Sequence, residues 1–230
     1  MITGSGLIAN ALRDTFENDE SVFVFARGVS NSGCVDVSAY QRELDMIQSF
    51  SQTYSDKIFV YFSTTSVFDP EKMDSPYVKS KSNFENIIAS LFSKSIIVRL
   101  PIIVGRNNNE NQLFGYLLKA IKQGQTIQVH NHAGRYLIDI ADLSTIVNKV
   151  VEYYKQQVKS GNLTINICGD QPIRIDTIIS MLSNAIGIQP NLSVVESGST
   201  YFVNNTLVKS IVSNQMLNKD YQEVFNSYYR

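Results

Sequence analysis

Apolar residues along the first hundred positions fall into two alternating patterns. Continuous runs occupy positions 22–26 (VFVFA), 58–62 (IFVYF) and 95–98 (SIIV), and a stub of a run covers 1–3. Such runs are typical of strands that are buried on both faces of a sheet. Between them, positions 7–16, 38–54 and 77–92 carry apolar residues at the spacing of one helix face. The alternation predicts an α/β fold with a doubly wound parallel sheet covered by helices.

The pattern is less regular after Pro101. Helices are predicted over 112–123, 141–157 and 176–186, and a glycine follows the third. Short strands are predicted over 126–129, 162–167 and 193–196, and the chain ends in a helical segment. We place a boundary near residue 105. Residues 106–230 are expected to add the remaining elements and a small C-terminal lobe that does not fold alone, so that the chain is one compact unit.

The composition narrows the class of protein. The chain has 230 residues, of which 43% are hydrophobic and 18% charged, so a folded core is expected and a disordered chain is excluded. A net charge of −1 does not favour nucleic acid or an anionic membrane as a partner. No window approaches 18 uninterrupted apolar residues, and the first residues lack the pattern of a signal peptide. Two cysteines, Cys34 and Cys168, form no disulfide framework, so a reduced cytoplasmic protein is expected.

A glycine turn joins the first predicted strand to the first helix. Residues 4–9 read GSGLIA, which is the GxGxxA pattern. Glycines let the backbone approach a pyrophosphate, and a helix N-terminus supplies amide donors, so the turn predicts a dinucleotide site. An ordinary tight turn is the alternative. The second strand ends at Ala26-Arg27-Gly28, where such folds carry an acidic residue for a ribose hydroxyl. Arg27 would instead face a 2′-phosphate and favour NADP, or it is a solvated arginine at a strand end.

Tyr77 and Lys81 form a YxxxK pattern on a predicted helix. Positions four apart share one face, so the ammonium is expected beside the phenol, where it would lower the tyrosine pKa from about 10. Tyr77 would then act as a general acid or base near neutral pH, and Lys81 could also hold a ribose hydroxyl. The run at 58–62 leads into four hydroxyl residues at 63–66, at the edge where open α/β sheets bind ligands. Thr64 is expected to orient the reacting oxygen, and a polar strand exit is the alternative.

In this order, the three features resemble the short-chain dehydrogenase/reductase superfamily, extended type, which includes nucleotide-sugar epimerases, dehydratases and reductases. YFSTTSVFD at 61–69 resembles the family's strand-end motif and the STDYVFD stretch of dTDP-4-dehydrorhamnose reductases. SPYVKSK at 75–81 looks like its catalytic YxxxK, and RLPIIVG at 99–105 looks like its RxxxVxG loop along the nicotinamide. GRYLIDIADLSTIV at 134–147 and LTINICGDQPIRIDTII at 163–179 resemble later segments of the family.

The resemblance implies an NAD(P)-dependent reductase or epimerase that acts on a nucleotide-activated sugar, with NAD or NADP as the cofactor. Residues 1–105 would be the Rossmann-like dinucleotide-binding part and 106–230 would include the substrate lobe. The implied catalytic residues are Thr64, Tyr77 and Lys81. The implied cofactor-binding residues are Gly4, Gly6, Leu7, Ile8, Ala9, Ala26, Arg27, Gly28, Ser63, Lys81, Leu100, Pro101 and Ile103. The implied substrate-binding residues are Asn31, Ser32, Thr65, Asn111 and Arg135, the last against the diphosphate.

By analogy, a homodimer through the helices at 38–54 and 77–92 is expected. A non-catalytic regulator that binds a dinucleotide or a nucleotide sugar is the alternative function. His130 and His132 form an HxH pattern, but no Cys or carboxylate cluster lies beside them in the sequence. They are therefore expected to be loop residues over the substrate cleft, and no metal site is predicted.

The spacing departs from the family pattern. Only 58 positions separate Gly6 from Thr64, and a βαβ unit takes about 30 residues, so one strand fits between them. That strand, VFVFA, matches either the second strand of the family or, as we prefer, the fourth. In the preferred alignment the strands that carry the adenosine pocket are missing, and Arg27 loses its claim on a 2′-phosphate. Asn31 and Ser32 then line the nicotinamide or substrate side, and we expect a shortened enzyme with a shallow adenosine site.

Overall fold

The computed structural model describes residues 1–106 and 109–230. Its strands are β1 (Ile2–Thr3), β2 (Val22–Phe25), β3 (Ile58–Thr64), β4 (Lys94–Leu100), β5 (Ile102–Val104), β6 (Thr126–His130), β7 (Gly134–Arg135), β8 (Leu137–Asp139), β9 (Gly161–Asn166), β10 (Ile173–Arg174) and β11 (Asn191–Val195). Its helices are α1 (Leu7–Phe16), α2 (Val37–Thr53), α3 (Pro76–Leu91), α4 (Leu113–Lys122), α5 (Ile140–Tyr153), α6 (Ile175–Ile186), α7 (Thr206–Ile211), α8 (Asn214–Leu217) and α9 (Tyr221–Tyr229). The predicted strands and helices are present, with ends shifted by a few residues.

In the described part of the chain, five parallel strands form the central sheet in the order β1-β2-β3-β4-β9. All residues of β2 and β3 are buried, as their continuous apolar runs predict. Helices cover both faces. Leu12 and Phe16 of α1 share a core with α5, whereas Ile47 of α2 and Ile88 of α3 belong to a core on the opposite face. The predicted α/β class and parallel sheet are therefore confirmed.

The first connection differs in hand from the next two. The connections through α1, α2 and α3 all move in the same direction across the sheet, but α1 lies on one face and α2 and α3 on the other. Connections that run the same way on opposite faces have opposite hands, although about 98% of parallel crossovers are right-handed. On the face that α1 covers, a right-handed connection from β1 would lead away from β2, toward the outer side of β1.

Strand β1 is at one edge of the described sheet. In the classic dinucleotide-binding order, 3-2-1-4-5-6, the first strand lies in the middle and the fourth strand is its neighbour. Here β2 occupies the place of the fourth strand, and no described strand lies beyond β1. The strand order agrees with the alignment that we prefer from the spacing, in which the sheet lacks the second and third strands, and this alignment stays a prediction.

The caps of the two central helices follow from the sequence. Asp36 accepts a hydrogen bond from the Ser38 amide at 2.9 Å before α2. Ser75 accepts one from the Val78 amide at 3.2 Å before α3, and Pro76 occupies the first turn. The Ser75 cap fixes where α3 begins and therefore places Tyr77 in its first turn.

The second half of the chain contributes to the central sheet and also forms smaller layers. Strand β9 pairs with β4, and α5 packs beneath the sheet with α1. Among the described residues, β5 pairs with β8, β7 with β10 and β6 with β11 in two-stranded sheets. Helices α4, α6 and α9 share a separate apolar core. The boundary near residue 105 stays a prediction. None of the described helices combines the length and the apolar character needed to cross a membrane.

Candidate active site

The glycine turn lies between the carboxyl end of β1 and the start of α1. Gly4 has φ +115°, in the left-handed region that favours glycine, and a Cβ there would collide with the Ala26 carbonyl. Gly6 has an ordinary φ of −80°, and a Cβ there would meet nothing within 4 Å in the described chain. Ala9 is fully buried beneath the turn. The turn is therefore tightly packed on its inner side and open above Gly6, as the approach of a diphosphate requires.

The connections that follow β1 and β2 leave the sheet toward opposite faces. In open α/β sheets, a divergence of this kind opens the crevice in which ligands bind at the carboxyl ends of the strands. The glycine turn forms one wall of this crevice, and the segment that starts at Ala26 forms the other.

Thr64 and Tyr77 meet at the same edge of the sheet. Thr64 ends β3, and its side chain lies close enough to the phenol of Tyr77 to lower the pKa of that group. The Thr64 hydroxyl also accepts a hydrogen bond from the Ser66 amide at 3.0 Å. Neighbouring strands lie about 4.8 Å apart, so β3 is roughly 10 Å from β1. The Thr64–Tyr77 pair is thus within the length of a dinucleotide that is held at Gly6.

Lys81 is buried in a network of internal partners. Its ammonium lies 2.8 Å from Glu43 Oε1, 2.9 Å from the Tyr61 oxygen and 3.5 Å from the Phe62 carbonyl. Tyr61 donates to Glu43 Oε1 at 2.7 Å, and Glu43 Oε2 accepts from the Val29 amide at 2.7 Å. An ammonium has three N–H donors, and here each has an acceptor inside the chain. A role of Lys81 at a ribose hydroxyl stays a prediction, since these contacts already use its donors.

The expected pKa of Tyr77 is wrong. Burial raises the pKa of Tyr77 to about 12, the Thr64 side chain opposes this rise, and the Glu43 carboxylate adds to it. The Lys81 ammonium lies 6.0 Å from the centre of the Tyr77 ring but pairs with Glu43. The i, i+4 spacing correctly places the two side chains on one face, but Glu43 compensates the charge that was expected to lower the pKa.

Ser63 has a different partner from the one expected. Its hydroxyl donates to Glu85 Oε1 at 2.5 Å, and the same carboxylate receives two hydrogen bonds from Arg99, at 2.9 Å and 2.5 Å. Glu85 belongs to α3, so the Ser63 side chain lies against that helix, and its predicted contact with the cofactor stays a prediction.

A second polar group surrounds the short turn that follows Thr64. The Arg135 guanidinium lies 3.5 Å from Asp69 Oδ2 and donates to the Ser199 carbonyl at 3.0 Å. Its centre is 6.0 Å from the ring of Tyr201, and the Tyr201 hydroxyl lies near Thr65. Thr65 and Arg135, both predicted to bind substrate, are therefore brought together. Arg135 is engaged with Asp69 rather than free.

The other residues predicted to bind the cofactor or the substrate differ in their position and exposure. Leu100 is next to Thr64 in the β3–β4 register, and Pro101 and Ile103 follow it. Arg27 and Gly28 line a cleft of about 520 Å³ against α2. Ser32 and Asn111 are exposed, and Asn31 is half-buried. Leu7 and Ile8 are half-buried in the first turn of α1.

The HxH pattern lies at the end of β6. His130 Nδ1 is 2.7 Å from the Ser197 hydroxyl, and His132 Nε2 is 3.3 Å from Glu196. The fold thus brings a carboxylate to His132 that the sequence spacing does not place there. Over residues 1–106 and 109–230, no group of three His, Cys, Asp or Glu side chains could hold a metal ion.

Glu43 is the residue of this region that the sequence analysis misses. It lies three positions after Tyr40 and four before Ile47, which are the buried residues of α2, so it belongs to their face. A carboxylate on the buried face of a helix requires a partner, so the position of Glu43 on this face is the sequence feature that could have identified it. The sequence could not identify the partner, because Lys81 is 38 positions away.

Comparisons with known proteins give matches of structure only. No protein-family model matches the sequence, and no curated protein matches it. UDP-glucose 4-epimerase from Bifidobacterium longum, in complex with NAD+ and UDP, matches with a TM-score of 0.74 at 13% identity, over 98% of this chain and 80% of that chain. A mutant UDP-glucuronic acid 4-epimerase from Bacillus cereus, in complex with a fluorinated UDP-sugar and NAD, gives 0.73 at 17% identity, over 98% and 77%.

A third match is UDP-N-acetylglucosamine 4-epimerase from Methanobrevibacter ruminantium, in complex with UDP-N-acetylmuramic acid, with a TM-score of 0.73 at 13% identity, over 98% of this chain and 78% of that chain. The matched structures are longer than this chain. The chain therefore has a Rossmann-like α/β fold with a parallel central sheet, which it shares with these solved structures of UDP-sugar 4-epimerases.

Proposed function

We propose that this protein is an NAD(P)-dependent reductase or epimerase that acts on a nucleotide-activated sugar. The observation that carries the proposal is the position of two features on one edge of the sheet. The open glycine turn at Gly6 and the neighbouring Thr64 and Tyr77 side chains lie at the carboxyl ends of β1 and β3, with β2 between them. The similar structures that contain NAD and UDP-sugars support this class of ligand.

The residues present fit a dinucleotide. The space above Gly6 would receive the diphosphate, and the N-terminal amides of α1 would bind its oxygens. A bound nicotinamide would supply or accept a hydride. Because β1 is an edge strand, the adenosine half would extend past the sheet with little protein around it.

Tyr77 would hold and protonate the reacting oxygen of the sugar. Its pKa of about 12 means that it is a neutral phenol at pH 7, so it is ready to donate a proton to a developing alkoxide. Thr64 would fix the direction of that donation, since its side chain lies beside the phenol. Arg135 is proposed to bind the substrate diphosphate, for which it would exchange its contact with Asp69.

Substitution of Tyr77 by Phe tests this role. Turnover of UDP-sugars with NAD or NADP is measured in the protein and in Tyr77→Phe, with Tyr154→Phe as the control. Tyr154 is also buried, but it lies in the core on the opposite face of the sheet, where its hydroxyl donates to the Gly161 carbonyl at 2.6 Å. We expect turnover to fall about 10²- to 10⁴-fold in Tyr77→Phe, the usual contribution of a general acid, and to persist in Tyr154→Phe. Unchanged turnover in Tyr77→Phe overturns the role.

A second candidate is a regulator that binds a dinucleotide or nucleotide sugar without catalysis. The pairing of Lys81 with Glu43 favours it, because the cation expected to support Tyr77 is compensated. Single-turnover assays separate the two functions: a regulator binds both ligands but neither changes the absorbance of the nicotinamide nor converts the sugar. A homodimer through α2 and α3 and a cytoplasmic location stay predictions, of which sedimentation tests the first.

A further inference from the structure

The strongest unexplained feature is the ion pair between Lys81 and Glu43. The two side chains are 3% and 1% exposed, and their charged atoms are 2.8 Å apart. A buried pair of this kind is costly to desolvate and contributes little net stability compared with apolar residues. Its position one helical turn from Tyr77 suggests that it serves the site rather than the core.

The pair lies directly under the backbone of the β2–α2 segment. A Cβ on Gly28 would lie 2.7 Å from the Lys81 ammonium and even closer to Glu43 Oε1. Glu43 also accepts the Val29 amide, so the carboxylate anchors this segment as well as the cation. Gly28 therefore lets the backbone close over the pair.

The charged and titratable groups around Tyr77 come from three elements. Helix α2 supplies Glu43 and Tyr40, strand β3 supplies Tyr61, and α3 itself supplies Lys81. Of these groups, Glu43 is the one whose charge raises the pKa of Tyr77. The neighbouring carboxylate on α3, Glu85, is bonded to Ser63 and Arg99 instead.

We propose that Glu43 is a positioning residue for this site: its carboxylate holds the Lys81 ammonium beneath Gly28, away from the Tyr77 phenol, so that Tyr77 enters the reaction as an uncharged proton donor. The Glu43–Lys81 pair exists in the free protein, whereas the role of Tyr77 as a proton donor rests on the proposed function.

Removal of the Glu43 carboxylate would lower the pKa of Tyr77. In Glu43→Gln the side chain keeps its shape, but its negative charge is gone. If Lys81 stays charged, it attracts a phenolate; if it becomes neutral, the repulsion by Glu43 is still lost. In both cases the phenol ionises at lower pH, and a nearby charge typically shifts a pKa by about 1 to 3 units.

The test follows the ionisation of Tyr77 by NMR of ¹³Cζ-labelled tyrosine, with the resonance assigned by its loss in Tyr77→Phe. We expect Tyr77 to ionise at least one pH unit lower in Glu43→Gln than in the unmodified protein. Glu43→Asp keeps the charge and is expected to restore a high ionisation pH. Glu85→Gln is the matched control, since it removes a buried carboxylate that does not contact Lys81.

Two outcomes overturn the inference. The first is a Tyr77 resonance that titrates in Glu43→Gln at the same pH as in the unmodified protein, or higher. The second needs no variant, and applies even if Glu43→Gln does not fold: Tyr77 that ionises below pH 10 in the unmodified protein would show that Lys81 is not compensated. A shift without any turnover of UDP-sugars supports the inference and contradicts the proposed function, so the two are separable.

Discussion

Replacement of Lys81 by Met should destabilise the protein far more than the loss of an ordinary lysine. Methionine has a similar length but no charge, so Glu43 would be left as a buried carboxylate with only Tyr61 and the Val29 amide as partners. At 2.8 Å and an effective dielectric constant near 20, the attraction between Lys81 and Glu43 is about 6 kcal/mol. Desolvation of the two ions offsets most of that attraction in the intact pair, but not when a single charge stays buried. The expected loss for Lys81→Met is therefore about 3–5 kcal/mol.

The double variant Glu43→Gln/Lys81→Met separates the charge from the packing. Glutamine can still accept the Val29 amide, and no buried charge is left without a partner, so this variant should recover most of the loss. Lys79→Met on the same helix is the control, because Lys79 pairs with Asp74 at the exposed surface and should cost less than about 0.5 kcal/mol.

Urea denaturation measures the free energy of unfolding of these variants, and comparison is valid where the slope with denaturant is unchanged. The reasoning is refuted if Lys81→Met is as stable as Lys79→Met. It is also refuted if the losses of the two single substitutions at Lys81 and Glu43 add without recovery in the double variant.

Two further predictions concern other positions. Gly28→Ala should lower the free energy of unfolding by about 1–3 kcal/mol, because its Cβ would press on the Lys81–Glu43 pair. Gly33→Ala, in the exposed loop, should be nearly neutral. Equal unfolding midpoints of the two variants would contradict this prediction. Burial raises the pKa of Asp139, but hydrogen bonds from Lys219 and Tyr228 outweigh it, so the net pKa lies below its usual value. The stabilisation is thus present above the usual carboxyl pKa and is lost as the pH falls through the lower, folded value. Asp139→Asn, which can still cap α5, should lower the free energy of unfolding by about 2 kcal/mol at pH 7 and by progressively less below about pH 4. A loss of stability in urea denaturation that does not depend on pH would contradict this prediction.

The sequence predicts the long elements well because their periods are strong. Continuous apolar runs predict β2 and β3, and the three- and four-residue spacing predicts the helices around them. Strands such as β7 and β10 have two residues each, too few to show any period, and they form only where the chain returns to itself.

The candidate site is predictable in position but not in electrostatics. Tyr77 and Thr64 follow from local spacing, and the structure places their side chains near each other. The partner of Lys81 does not follow, because Glu43 reaches it only after α2 and α3 pack on the same face. Likewise, the hand of the α1 connection depends on which face α1 covers, and no local pattern encodes that choice.

The central claim is that the shortened sheet still binds a nicotinamide dinucleotide at the glycine turn. Calorimetric titration of the protein with NAD and with NADP tests it most directly, with Gly6→Val and Ser5→Ala as paired variants. Gly6 has an ordinary φ and open space around a Cβ, so Gly6→Val should fold while its side chain fills the place of the diphosphate. The account predicts saturable binding of at least one dinucleotide that survives in Ser5→Ala and is lost in Gly6→Val. Absence of binding of both dinucleotides at millimolar concentration, or equal binding by Gly6→Val, would contradict it.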